Sequence, residues 1–167
     1  MKNFLVLVID DSKVVCSLIQ FMIESRLGVD CIYETNPSNI SDELLEKVDL
    51  IVLDYYFGSI AQSAQENGLK YMRKLKKNNP SIPVIAFSGQ KNISLALDMV
   101  AIGAVDYVEK NGEDFIDNLL ESVNKIIEFK RSGFRIKSLS DKLKNNRGQF
   151  FIVLIIGIML LSASFYF

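Results

Sequence analysis

Histidine and tryptophan are absent from this 167-residue chain, proline occurs three times and cysteine twice. Without histidine there is no imidazole base, no histidine-held metal and no internal phosphohistidine, so any phosphoryl group must come from another molecule. Cys16 and Cys31 lie in apolar stretches without the spacing of a metal site or a redox pair. No small-residue cleavage site follows the apolar run at the N-terminus, and both facts fit a reducing cytosol around the body of the chain. A strong overall charge is lacking too, at a net −1. That near-balance conceals an asymmetry. Residues 125–149 carry eight Lys and Arg against Glu128 and Asp141, a net +6, which leaves −7 for residues 1–124. The acidic body argues against a nucleic-acid partner.

What is present is a regular alternation. Phe4 to Ile9 is a short apolar run stopping at Asp10-Asp11-Ser12, as a buried strand ending in a polar loop does. Ser12 can cap a helix whose apolar positions, Val15, Leu18, Ile19, Met22 and Ile23, recur at helical spacing up to Gly28. Val29 to Tyr33 reads as a second strand, Pro37 to Lys47 as a second helix, and Leu50 to Leu53 as a third strand ending at Asp54. A long polar loop, Tyr55 to Asn67, is expected before a helix from Leu69 to Lys77. Ile82 to Phe87 then reads as a strand, Ile93 to Ile102 as a helix and Val105 to Val108 as a strand. A final helix carries Phe115, Leu119, Val123 and Ile126 on one face. Five strand–helix units with short crossovers predict an α/β fold, a five-stranded parallel sheet with helices on both faces.

In such sheets ligands bind beyond the carboxyl ends of the strands. Asp10 and Asp11 follow the first strand, Asp54 the third, Ser88 the fourth and Lys110 the fifth, so all five are expected at one edge. Carboxylates packed together repel, each close pair by up to about 4 kcal/mol at an effective dielectric near 20, unless cations sit among them. Lys110 is one such cation, and Mg2+ suits carboxylate oxygens as a second. Together they predict a phosphoryl-transfer pocket.

Val8-Ile9-Asp10-Asp11-Ser12, Ile51-Val52-Leu53-Asp54, Val84-Ile85-Ala86-Phe87-Ser88-Gly89 and the run Ile102-Gly103-Ala104-Val105-Asp106-Tyr107-Val108-Glu109-Lys110 together resemble the response-regulator receiver domain, in the right order over residues 3–128 or so. The resemblance implies a doubly wound, flavodoxin-like fold and a switch in a two-component phosphorelay rather than an enzyme. By the same resemblance Asp54 is the phosphoacceptor, Asp11, Asp54 and the Tyr56 backbone carbonyl hold Mg2+, and Asp10 assists, largely through water. Ser88 and Lys110 would bind the phosphoryl oxygens, and movement of Ser88 would let Tyr107 turn inward. The implied partners are a sensor histidine kinase or histidine phosphotransfer protein and an output protein.

Several residues depart from the family pattern. Asn111 stands where the family usually has proline after the lysine, Gly58 where a proline is common, and the loop from Asp54 to Gly68 is about six residues longer than usual. Tyr56 and Gln90 occupy positions that often set the rate of phosphate loss, and bulky Tyr56 is expected to hinder the attacking water. The alternative consistent with these departures is a scaffold that docks partners without being phosphorylated. The fourth helix adds a surface: Ile93, Leu97, Val100 and Ala101 form one apolar stripe, and Leu95, Met99 and Ile102 another. One stripe suffices to cover a sheet, so the second is either a partner or homodimer surface or a set of scattered surface apolars.

The expected organisation is a receiver over residues 1–130, a basic juxtamembrane linker over 131–149 and a transmembrane helix over 150–167. Phe150 to Phe167 has no charged residue, and at 1.5 Å per residue a stretch of this length reaches roughly 27 Å against a hydrocarbon core near 30 Å. Aromatics stand at both ends, and the preceding +6 stretch predicts a single pass with the N-terminal domain cytoplasmic. A core or dimerisation helix is the competing reading of this tail. Ile136, Leu139 and Leu143 share one face of the basic stretch, which either lies on anionic membrane lipid or is a solvated linker. The full chain is expected in the membrane fraction of cells and a chain ending at Arg147 in the supernatant; equal partitioning of the two would remove the anchor.

Overall fold

The computed structural model describes residues 3–56, 64–89 and 93–133. Its elements are β1 (Leu5–Ile9), α1 (Lys13–Leu27), β2 (Asp30–Glu34), a 3-10 turn (Pro37–Asn39), α2 (Asp42–Leu45), β3 (Leu50–Asp54), α3 (Ala64–Asn78), β4 (Val84–Ser88), α4 (Ile93–Ile102) and β5 (Asp106–Glu109). A further helix, α5, occupies residues 115–133. The first compact unit, Met1–Ile127, contains the whole sheet. Of the second unit, Glu128–Phe167, the described residues 128–133 are helical.

All strands are parallel, in the order β2-β1-β3-β4-β5. Because side chains alternate across a strand, each strand feeds two cores. Val6, Val8, Val52, Ile85 and Phe87 face a cluster with Cys16, Ile19 and Ile23 of α1 and Leu119, Val123 and Ile127 of α5. Leu7, Ile9, Ile51, Leu53, Val84 and Ala86 face the opposite cluster, with Leu45 of α2, Met72 and Leu75 of α3, and Leu95 and Met99 of α4. The doubly wound sheet is thus the one the strand–helix alternation predicts.

Local chemistry sets the helix ends. The Ser12 hydroxyl accepts from the Val15 N–H at 3.4 Å, and α1 stops where Gly28 turns left-handed at φ 62° and donates to the Glu24 carbonyl. Two helices differ from expectation. Pro37 to Lys47 is not one helix but a 3-10 turn followed by a single turn, α2. Asn36 and Ser41 each cap a separate start, and Ile40 between them is extended. Short polar side chains here compete with the helical hydrogen bonds. Conversely α3 begins at Ala64, five residues before the predicted Leu69, so part of the lengthened stretch after Asp54 extends the helix. The α4 stripes are sorted: Leu95 and Met99 are buried, while Leu97 and Val100 are exposed.

Among the described residues no helix is long and apolar enough to cross a membrane. Residues 134–167, with the predicted transmembrane segment and most of the linker, lie outside the described residues, as do Gly58 and Gln90.

One contact fixes how α3 meets the sheet. A Cβ on Gly68 would stand 2.1 Å from the Tyr55 carbonyl oxygen and 2.9 Å from its carbon, so only glycine permits this approach. Gly68→Ala is expected to lose roughly 1–3 kcal/mol, the usual cost of overpacking a close contact, read from the urea midpoint; an unchanged midpoint would show that the contact is slack.

Candidate functional site

The sheet order reverses at β1, which has β2 on one side and β3 on the other. Crossovers leave in opposite directions there and open a crevice beyond the strand ends. Asp10 follows β1 directly and Asp54 ends β3. One carboxylate oxygen from each of Asp10, Asp11 and Asp54 lies within 4.8 Å of the others. Asp10 and Asp54 are buried, while Asp11 is exposed at the rim.

Lys110 enters from the end of β5. Its Nζ lies 2.6 Å from Asp10 Oδ2 and 2.8 Å from Asp54 Oδ1, and 5.0 Å from the centre of the Phe87 ring. One ammonium thus pairs with two buried carboxylates, offsetting one of their two charges, and rests on an aromatic face. Main chain adds one donor to each: the Ser12 N–H donates to Asp10 Oδ1 at 2.8 Å, and the Tyr56 N–H to Asp54 Oδ1 at 3.2 Å. Beneath them the Cys16 thiol donates to the Asp10 carbonyl at 3.3 Å. Burial pushes that thiol up to about 12, with the Asp10 charge adding to the effect, so Cys16 is a packing residue rather than a nucleophile.

Burial raises the Asp54 carboxyl to about 6 from 3.8; the Lys110 charge and hydrogen bond pull it down, and the Asp10 charge pushes it up. A buried anion with two like neighbours and one cation is short of positive charge. The three carboxylates therefore fit a hard divalent cation such as Mg2+, which prefers carboxylate oxygens.

The other predicted residues are at the same edge. Ser88, fully buried, ends β4, and its carbonyl accepts from the Lys110 N–H at 2.7 Å. Tyr107 of β5 is half-buried and its hydroxyl is hydrogen-bonded to Ser88. Tyr107 and Ser88, the two residues expected to move together, are thus in direct contact. Burial raises the Tyr107 hydroxyl, and the bond to Ser88 opposes the rise. Tyr56 packs edge-on against Tyr55, ring centres 4.6 Å apart. The pattern of strand ends brought out the polar residues of this pocket but not Phe87, Cys16 or Gly68. A strand residue, a residue of α1 and a glycine within α3 carry no local mark of the edge they serve.

Residues 6–141 match the response regulator receiver domain. The chain belongs to that family. An NtrX-like response regulator of Rickettsia bellii is 29% identical to this receiver over 135 residues, 80% of this chain and 27% of the relative. A protein-glutamate methylesterase/protein-glutamine glutaminase of Treponema denticola is 29% identical over 114 residues, 66% of this chain and 29% of its own length. The chain thus spans less than a third of the length of these curated relatives. A crystal structure of a response regulator from Thermotoga maritima superposes with a TM-score of 0.62 at 28% identity, covering 75% of this chain and 98% of that one. The receiver domain of NtrX from Brucella abortus, 24% identical with a TM-score of 0.61, shares the fold over 74% of this chain.

The raised Asp54 carboxyl has a calculable consequence. The folded receiver holds that proton more tightly than the unfolded chain, so stability falls as pH rises from about 4 to about 6 and then levels. Without divalent cation, Asp54→Asn is expected to be more stable than the wild type at pH 7, by on the order of 1–3 kcal/mol, with the two converging near pH 4. Urea titrations from pH 4 to 8 check this, and a variant gain that does not shrink toward low pH would refute it.

Proposed function

We propose that this receiver accepts a phosphoryl group on Asp54 from a sensor histidine kinase or histidine phosphotransfer protein, uses Mg2+ in doing so, and acts at a membrane through contacts with another protein. The observation that carries the reading is the meeting of Asp10, Asp11, Asp54 and Lys110 at the switch point of the sheet. In the step proposed, an Asp54 oxygen attacks phosphorus in line as the bond to the donor's imidazole nitrogen breaks. The bonding pair stays on that nitrogen. Phosphoryl transfer of this kind needs positioning and charge neutralisation more than an acid or base, so an acceptor without histidine suffices.

Lys110 already bridges Asp10 and Asp54 and can follow the charge onto the phosphoryl oxygens. Ser88 stands ready to donate to another of them, and its bond to Tyr107 joins that event to the outer surface of β5. A divalent cation held by Asp10, Asp11, Asp54 and the Tyr56 carbonyl would supply the positive charge that three carboxylates and a phosphoryl group together lack.

A protein donor must also touch the surface around the pocket. Val14, Leu18 and Phe21 of α1 are 80%, 42% and 65% exposed and recur at helical spacing, so they form one apolar stripe starting four residues after Asp10. This face fits a helical donor. The acidic body gives no reason to invoke nucleic acid, and the uncharged run 150–167 with its basic approach supports a membrane location. The role is that of a switch and not of an enzyme with a separate substrate.

Incubation of the full chain with Mg2+ and a small acyl phosphate is expected to label the wild type and leave Asp54→Ala unlabelled. An unlabelled wild type, under conditions that label other receivers, would favour the phosphate-independent scaffold.

A further inference from the structure

Asn111 stands where a proline would offer no donor, and its side-chain amide donates to the Gly89 carbonyl. One residue back on each strand, the Lys110 N–H donates to the Ser88 carbonyl at 2.7 Å. Two successive bonds therefore lace the segment leaving β4 to the segment leaving β5, just past the point where the regular β4–β5 pairing ends at Ser88 and Glu109. The residues between these bonds and the pocket are Ser88 and Lys110 themselves. The Lys110–Asn111 bond is trans, like every peptide bond among the described residues, so the lacing is made by the amide side chain.

We infer that Asn111 is a positioning residue for phosphoryl transfer: its bond to Gly89 holds the main chain after Ser88 against the main chain after Lys110, and so fixes the spacing of the two groups that meet the phosphoryl oxygens. This rests on Asp54 being the acceptor. The chemistry is that of preorganisation. Groups already aimed at the transferring phosphoryl need no rearrangement when charge moves onto its oxygens, whereas a loosened Ser88 must be re-ordered in each event. The carboxylates that fit the cation are carried by β3 and by the segment leaving β1, and the link from Asn111 to them runs through its neighbour Lys110, which pairs with Asp10 and Asp54, so the rates are compared with the cation site filled. Asn111 is exposed, and surface substitutions of this kind usually leave overall stability nearly unchanged.

The full-length wild type, Asn111→Ala and the isosteric Asn111→Asp, which has no donor, are compared in three measurements. These are the rate of Asp54 labelling by a small acyl phosphate in saturating Mg2+, Mg2+ affinity by calorimetry, and the thermal midpoint. Both variants are expected to label about fivefold more slowly in saturating Mg2+, the factor that one ordinary hydrogen bond supplies, with the midpoint unchanged. Labelling of Asn111→Ala at the wild-type rate in saturating Mg2+ overturns the inference, and so does slowing matched by a fallen midpoint, which would make Asn111 merely structural. An unlabelled wild type would instead overturn the acceptor role of Asp54.

Discussion

The whole edge of this sheet turns on one ammonium group. Asp10 and Asp54 are buried side by side where the strand order reverses, and two carboxylates in that position repel each other and lose their hydration. Lys110 lies between them, within 2.8 Å of both. Its position is in turn set by β5 and by the Phe87 ring beneath it. The same charge shortage that makes Lys110 necessary also makes the pocket receptive to a further cation. Stability and function draw on one electrostatic deficit.

Around that deficit the main chain is held unusually closely. The Ser12 and Tyr56 N–H groups clamp the two carboxylates, so neither acid is free to swing away from the reacting position. Gly68 lets α3 come up against the Tyr55 carbonyl, and that contact backs the segment carrying Tyr56. Between β4 and β5 the lacing at Ser88–Lys110 and Gly89–Asn111 serves the opposite side of the pocket. A site intended for positioning rather than for acid–base work is built from such restraints.

Much of this was legible in the sequence because burial on both faces of a parallel sheet writes an almost uninterrupted apolar run, and the run stops where the polar edge begins. Hence Asp10, Asp11, Asp54, Ser88 and Lys110 were identifiable from their place after Ile9, Leu53, Phe87 and Val108. The second helix was misread because the stretch permits helical spacing while the side chains of Asn36 and Ser41 each cap a separate start. The start of α3 was missed because Ala64 to Asn67 lacks an apolar stripe. Asn111 was legible only as a missing proline, since its bond to Gly89 joins residues 22 apart, and no local pattern announces such a partner. Tyr107 was recognisable as a switch candidate, but which way it faces depends on packing that spacing does not encode.

The span of the pocket along the chain has its own consequence. The Lys110–Asp10 pair joins residues 100 apart, and β1 acquires both neighbours only when β2 and β3 have been made. Contacts so distant in sequence carry a loop-closure cost that slows folding. During synthesis no emerging chain shorter than 110 residues contains both members of this pair, and a fragment cut between β4 and β5 loses the link. The charge-paired edge of the sheet is thus a property of a chain complete through β5, and no shorter piece can carry it.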